Sequence, residues 1–467
     1  MNVVPPPTNM QARDMESVFH PYTPLHKLRE FGPLVIERGE GVYVIDGQGN
    51  KFLEGMSGLW CSGLGFSDEE LIEAGKEQLS KLPYYHNFTG KGTEPGVALA
   101  EKLKEIAPME CGKVLYSSSG SEANDTQVKL MWYYHNAIGK PEKKKIIARI
   151  KGYHGVTLMA ASLTGLPTNH NDFDLPLDRV LHTDCPHFWL FHEEGEDEAA
   201  YVARLATNLE NLIIEEGPET VAAFIAEPIM GAGGAIIPPD TYFPAIQPIL
   251  EKYDIIPITD EVINGFCRTG NWWGCETMNY KPVTLSCAKQ LTASYAPLSA
   301  VLLPDWMYEV YVEQSKKLTT FGHGYTYGGH PFSAAMGLKT IEIYQERDIL
   351  GRVNAMAPLF SKRLSALDDH PLVGNTRSRG LIGALEFTSD KKTRVPFDPK
   401  LMTGVKTIMA LQEHGVILRA IGDSIAICPP MIISEDELNF LFDKLELALN
   451  ETLDWLVREG HFVVSMD

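Results

Sequence analysis

Lys289 follows the apolar run Val283–Cys287 in Ala288-Lys-Gln290. A lysine placed there is partly desolvated, which lowers its pKa and favours imine formation with a carbonyl. Asp260 closes the run Ile255–Thr259, where an unpaired charge is costly. A carboxylate facing a pyridine nitrogen keeps that nitrogen protonated and makes the ring an electron sink. Ser117-Ser-Ser-Gly-Ser-Glu-Ala123 is a small-residue loop feeding a helix, which offers free N–H groups and a favourable dipole to a phosphate. Gly152-Tyr-His-Gly155 presents Tyr153, a ring that can stack on a flat cofactor, and Glu227-Pro228 puts a carboxylate after another apolar run. Taken singly, each residue has an ordinary use. Ser121 can cap the helix, Tyr153 can pack on the core, Glu227 can be a loop acid, Asp260 an N-cap and Lys289 a surface charge.

Their order along the chain is more informative. The runs Val114–Tyr116, Ile146–Ile150, Val221–Ala226, Ile255–Thr259 and Val283–Cys287 alternate with helical patterns. That alternation predicts an α/β domain with a mostly parallel sheet, whose ligands bind beyond the carboxyl ends of the strands. Between the first two runs, Ala123, Gln127, Leu130, Met131 and Tyr134 lie at helical spacing, all but Gln127 suited to burial. Gly41–Asn50 reads as strand, turn, strand, and Met1–Ala12 as a loose arm. His192–Glu198 is a charge run before a helix ending near Glu216. Beyond Pro331 helical patterns dominate, with strand pieces in Gly380–Phe387 and Gly415–Pro430. The predicted division is a large domain over residues 65–325 and a small α+β domain built from residues 1–64 and 326–467.

The formal net charge of −20 argues against a nucleic-acid partner, since phosphate backbones call for clustered Lys and Arg. Seven scattered cysteines with no C-x-x-C pair argue against a disulfide framework and point to the reducing cytoplasm. No apolar run approaches a membrane span, and the first residues lack the charged and apolar regions of a signal peptide. His182, His187 and His192 lack metal-ligand spacing, so no metal is expected. Neither a Walker loop nor a dinucleotide G-x-G-x-x-G occurs, which disfavours a hydride-transferring dehydrogenase.

Gly58-Leu-Trp-Cys61, Ser119-Gly-Ser-Glu122, Lys151-Gly-Tyr-His-Gly155, Ala226-Glu-Pro228, Asp260-Glu-Val262, Ala288-Lys289 and His323-Gly-Tyr-Thr-Tyr327 form one ordered set. In it the chain resembles the class III aminotransferases dependent on pyridoxal 5′-phosphate (PLP), especially the ω-amino-acid:pyruvate and amine:pyruvate transaminases. The resemblance runs from about His20 to the last helices. It implies PLP fold-type I, with a mostly parallel seven-stranded sheet, and a homodimer with shared active sites. It implies transfer of an amino group from an amine or ω-amino acid to a keto acid such as pyruvate, through a Lys289 Schiff base and pyridoxamine phosphate. Ser119, Gly120 and Ser121 would hold the phosphate, helped by Thr326 across the dimer. Tyr153 and Val262 would sandwich the ring, Asp260 would pair with its nitrogen, and Glu227 would support the site. Tyr22, Trp60, Phe88 and Tyr153 would line the substrate pocket, and Arg419 would hold the acceptor's carboxylate. Two departures stand out: Cys267 and Gln290 occupy positions where many members carry Gly. The same scaffold also serves aminomutases and decarboxylating transaminases, and a catalytically silent PLP-binding scaffold is a further alternative.

Overall fold

The apolar runs of the middle of the chain form a seven-stranded sheet in a computed structural model that describes residues 8–463. Its strands are β1 Lys113–Ser117, β2 Lys145–Arg149, β3 Val180–Thr183, β4 Val221–Ala226, β5 Ile256–Asp260, β6 Thr284–Cys287 and β7 Ser299–Leu303. Their spatial order is β1-β7-β6-β5-β4-β2-β3. All neighbours are parallel except β7, which runs antiparallel to both β1 and β6. Every residue of β4 and β5 is buried, as befits strands covered on both faces.

The predicted α/β class with a mostly parallel sheet is therefore observed. Two of its strands have no counterpart among the apolar runs. β3 is an edge strand with half-buried residues at its centre, so it needs few apolar side chains. β7 follows β6 after a single 3-10 turn, Lys289–Thr292, so no intervening helix announces it. Asp260 is the last residue of β5 rather than the first beyond it.

Helix α1, Gly120–Ala137, packs against β6 and β7. Ser119, not Ser121, is its cap: the Ser119 hydroxyl accepts the Glu122 N–H at 3.2 Å. Gln127 is fully buried, with its Oε1 accepting the Thr284 hydroxyl of β6 at 2.9 Å and its Nε2 without a partner among the described residues, whereas Tyr134 is only half-buried.

Both chain ends contribute to the two remaining sheets. Ile36–Glu40, Tyr43–Asp46 and Lys51–Glu54 form an antiparallel meander that Val416–Ile417 extends in parallel. Its turn is an Asx turn, in which Asp46 Oδ1 accepts the N–H groups of Gln48 and Asn50 at 2.9 and 2.8 Å. Val373–Arg379, Ile382–Phe387, Ser424–Ile427 and Arg419–Ile421 make an antiparallel sheet. The N-terminal arm is not loose where it is described: Thr8 and Gln11 form a capping box for a helix over Asn9–Ser17, while residues 1–7 of the arm lie outside the described residues. The charge run leads, as predicted, into the helix Glu198–Glu216, capped by Asp197. Among the described residues no helix is long and apolar enough to cross a membrane.

Buried charges tie the large sheet's loops to the flanking sheets. Arg268 donates to the carbonyls of Leu381 and Pro429 and to the Ser57 hydroxyl. Arg377 donates to the Gly234 carbonyl at 2.6 Å and pairs with Glu386 at 2.8 Å. Burial lowers the pKa of His187 to about 4, so it is neutral and donates Nε2–H to Glu386 at 2.8 Å. Burial pushes the Glu386 carboxyl up, but the His187 hydrogen bond and the Arg377 charge outweigh it and hold its pKa down at about 2. Removing the carboxylate strands a buried guanidinium, so Glu386→Ala should destabilise the protein by about 3–5 kcal/mol in urea titrations at neutral pH. Because the folded pKa is depressed, this contribution is present above the ordinary carboxylate range and fades as pH falls towards 2. The wild-type advantage over the variant should shrink across that window; an advantage independent of pH would show the pair to be unimportant.

Candidate active site

The carboxyl ends of β1, β2, β4, β5 and β6 open on a cavity of about 370 Å³. Ser119, Gly120, Ser121, Tyr153, Glu227, Asp260, Val262 and Lys289, eight of the residues singled out in the sequence, line it together. Parallel strands deliver their polar ends to one side, which is why residues so distant in sequence meet.

Asp260 is 2% exposed and fully engaged. Its Oδ2 accepts from Asn124 Nδ2 at 2.7 Å and from His154 Nδ1 at 2.8 Å, and its Oδ1 accepts the Val262 N–H at 3.1 Å. This pairing places the imidazole N–H on Nδ1 and leaves Nε2 buried without a protein partner. Glu227 bridges two loops: Oε1 accepts the Tyr153 N–H and Oε2 the Gly231 N–H, both at 2.9 Å. Burial pushes the Glu227 carboxyl up against the opposing pull of His154. Lys289 has a lowered pKa, caused by burial and resisted by Cys61, Asp260 and Glu227. Its backbone has φ +46°, a left-handed conformation that non-glycine residues adopt at a cost.

The serine loop is shaped by close approach. A Cβ on Gly120 would come within 2.9 Å of Val262 Cγ1, and one on Gly155, at φ +133°, within 2.4 Å of the Ser121 hydroxyl. At the N-terminus of α1 the Ser119 hydroxyl takes the Glu122 N–H, while Gly120 and Ser121, whose N–H groups have no intrahelical acceptor, line the cavity. A phosphate at the helix N-terminus, a flat ring between Tyr153 and Val262, a carboxylate beyond the ring and an amine with lowered pKa together match the chemistry of PLP.

Other residues singled out lie elsewhere. Thr326 is exposed and outside the cavity, its carbonyl accepting the Tyr84 hydroxyl at 2.8 Å. Phe88 is 43% exposed, packs beside Gly324 and does not line the cavity. Trp60 is buried and does not line the cavity. Tyr22 lies between the helices Asn9–Ser17 and Leu25–Phe31, 60% exposed, its hydroxyl accepting from Asn169 Nδ2 at 2.6 Å. Arg419 is half-buried and faces Tyr153 and Tyr22; burial lowers its pKa, and no carboxylate opposes that shift. Asn124 and His154, which hold Asp260, were not singled out as functional. Their signals were local: Asn124 lies one helical turn beyond Gly120 in an otherwise apolar face, and His154 adjoins Tyr153.

Cys267 and Gln290 behave differently. Cys267 has φ +73°, so glycine's freedom is needed there and a buried cysteine occupies a strained conformation. At the lysine turn the positive φ falls on Lys289 itself, and Gln290 lies in the 3-10 turn that follows.

The chain is 48% identical over 446 residues to gamma aminobutyrate transaminase 3, chloroplastic, of Solanum lycopersicum, spanning 95% of this chain and 86% of that protein. Its fold matches the crystal structure of a thermostable omega transaminase 4-fold mutant from Pseudomonas jessenii with TM-score 0.95 and 46% identity, over 96% of this chain and 100% of that one. The omega transaminase from Pseudomonas jessenii in complex with PMP superposes equally well, with TM-score 0.95 and 46% identity over 96% and 99% of the two chains. The family model for aminotransferase class-III matches residues 27–449, and the protein belongs to that family of PLP-dependent enzymes that transfer an amino group to a keto acid.

Proposed function

We propose that the donor is an amine or ω-amino acid, that the acceptor is a keto acid such as pyruvate, and that the enzyme works as a homodimer with shared sites. The observation that carries this reading is the opposition of Lys289 and Asp260 across one cavity, the amine weakened as a base by burial and the carboxylate held by three donors. Bound PLP supplies an electron-withdrawing ring that stabilises negative charge on the carbon bearing the reacting nitrogen. Lys289 Nζ would hold the cofactor and, once free, would take the proton from the donor carbon, a task suited to a lowered pKa. Asp260, oriented by its three hydrogen bonds, would pair with the ring nitrogen and keep a proton on it. Ser119, Gly120 and Ser121 receive the phosphate, Tyr153 and Val262 flank the ring, and Glu227 fixes the Tyr153 loop.

Thr326 and Phe88 act across the dimer in this reading. Both are exposed and lie outside their own cavity, and Tyr85 and Tyr327 leave further large side chains exposed beside them. Tyr22, Trp60 and Tyr153 supply apolar surface for the donor. Arg419 receives the acceptor's carboxylate, which its lack of an opposing carboxylate favours. The division into residues 65–325 and a unit made of 1–64 and 326–467 is supported by the sheets, since both chain ends meet in Lys51–Glu54 and Val416–Ile417. Seven free cysteines support a reducing compartment, for which we propose the cytoplasm.

Asp260→Asn should fold and bind PLP yet lose at least about 100-fold in turnover, the scale of removing an electrostatic stabiliser. A loss of only a few-fold would mean that another group faces the ring nitrogen. Arg419→Ala should slow the keto-acid half-reaction about 10- to 150-fold while sparing the half-reaction of an amine without a carboxylate. Equal slowing of both in stopped-flow absorbance would make Arg419 structural. Mixing inactive Lys289→Ala with Thr326→Ala subunits should restore activity, because one site of each heterodimer carries both defects and the other neither. No recovery despite proven exchange would overturn the shared site.

A further inference from the structure

Gln290 is 1% exposed, and each polar atom of its side chain is spent on bonds to other segments. Oε1 accepts the Gly63 N–H at 3.1 Å and lies 3.1 Å from the Tyr344 hydroxyl, while Nε2 points to the Trp60 carbonyl at 3.4 Å. The Gln290 carbonyl accepts the same Tyr344 hydroxyl at 2.9 Å. Tyr344 belongs to the long buried helix α2, Pro331–Glu346, so the lysine turn is anchored on a rigid element. On the other side the approach to Gly63 is so close that a Cβ there would fall 2.3 Å from Gln290 Oε1.

The segment so held is strained. Ser57, Gly58 and Trp60 all have positive φ, at +49°, +66° and +66°. The lysine turn is strained as well, with Lys289, Ala293 and Ser294 at +46°, +45° and +65°. Two left-handed segments therefore face one another, and the Gln290 amide joins them. Strained backbone persists only where its surroundings over-determine it.

We propose that Gln290 is a positioning residue that locks the Trp60–Gly63 segment to the Lys289 turn, so that amine size is read against a wall in fixed register with the lysine. The inference rests on the reading above in one respect, that the Trp60 segment borders the donor. Gln290→Met keeps the length of the side chain and leaves Tyr344 its 2.9 Å bond to the main-chain carbonyl, so the Gly63 and Trp60 links are lost together with the approach of the Tyr344 hydroxyl to Oε1. Gln290→Glu restores an acceptor for the Gly63 N–H.

Hydrogen exchange by mass spectrometry on the PLP-free protein reads the lock itself. Peptides over residues 57–66 should exchange about tenfold faster in Gln290→Met than in wild type, with Gln290→Glu in between. The Gly63 N–H also approaches the Cys61 carbonyl at 3.0 Å, which limits the increase. On the PLP-loaded enzyme, the ratio of kcat/KM for a small over a bulky amine should fall about tenfold in Gln290→Met and recover in Gln290→Glu. The keto-acid half-reaction should change less than threefold. Unchanged exchange would refute the lock. Faster exchange with equal losses for all amines would leave the lock standing and refute the Trp60 segment as the donor's wall. A lowered Tm with unchanged exchange and uniform losses would reduce Gln290 to a structural residue.

Discussion

Asp260 brings a carboxylate to the end of a wholly buried strand, where an ionised group survives only if hydrogen bonds replace its water. Its three donors come from α1, from the Tyr153–His154 turn and from the backbone just beyond β5. Holding this one group therefore fixes three segments. Asn124 orients the first turn of α1 and with it the serine loop; it also donates to the His154 carbonyl at 2.7 Å, which closes the network. The His154 turn carries Tyr153, and the turn after Asp260 presents Val262 to the other side of the same cavity. Geometry for phosphate, ring and ring nitrogen is thus set by the need to satisfy one buried charge.

The lysine turn and the loop beyond β5 carry backbone strain. Lys289 has a left-handed φ, and so does Cys267 in the loop beyond β5. A lysine cannot be exchanged for glycine without losing its amine, so at that position the cost is inseparable from function. Cys267 has no such role: it packs in the core and leaves Phe266 against Trp273 with centroids 4.8 Å apart. The structure explains what a glycine would do at 267 but offers no reason for the cysteine.

Strand runs, their order and the polar residues at their ends were legible because burial on both faces forces continuous apolar sequence. Eight cavity residues could be read in this way. β3 and β7 could not, one for lack of burial and the other for lack of a crossover helix. The cap of α1 was assigned two residues late, since either Ser119 or Ser121 can precede a helix and only the loop's path selects between them. Asn124, His154 and the bonds of Gln290 depend on which side chains converge from distant segments, and no local pattern encodes that. The helical start of the arm is carried by a Thr8–Gln11 capping box, a signal outweighed in the sequence by the neighbouring prolines.

Arg419 shows how far unpaired chemistry can be read from such a structure. Its strand pairs with Ser424–Ile427 in a sheet that already spends one arginine, Arg377, on a buried carboxylate. Among the described residues Arg419 is faced by the phenols of Tyr153, on the turn beyond β2, and of Tyr22, which do not neutralise it. A half-buried guanidinium without a carboxylate is less stable than a paired one, and folding gains nothing from keeping it so. In the proposed function that deficit is removed when a substrate brings its own carboxylate, because the guanidinium can then form a bidentate pair. Tyr22 precedes the helix Leu25–Phe31 and is tied to the body through Asn169. Under that proposal the fixed Asp260 network serves both half-reactions, while Arg419, outside the cavity, meets the charged keto acid alone.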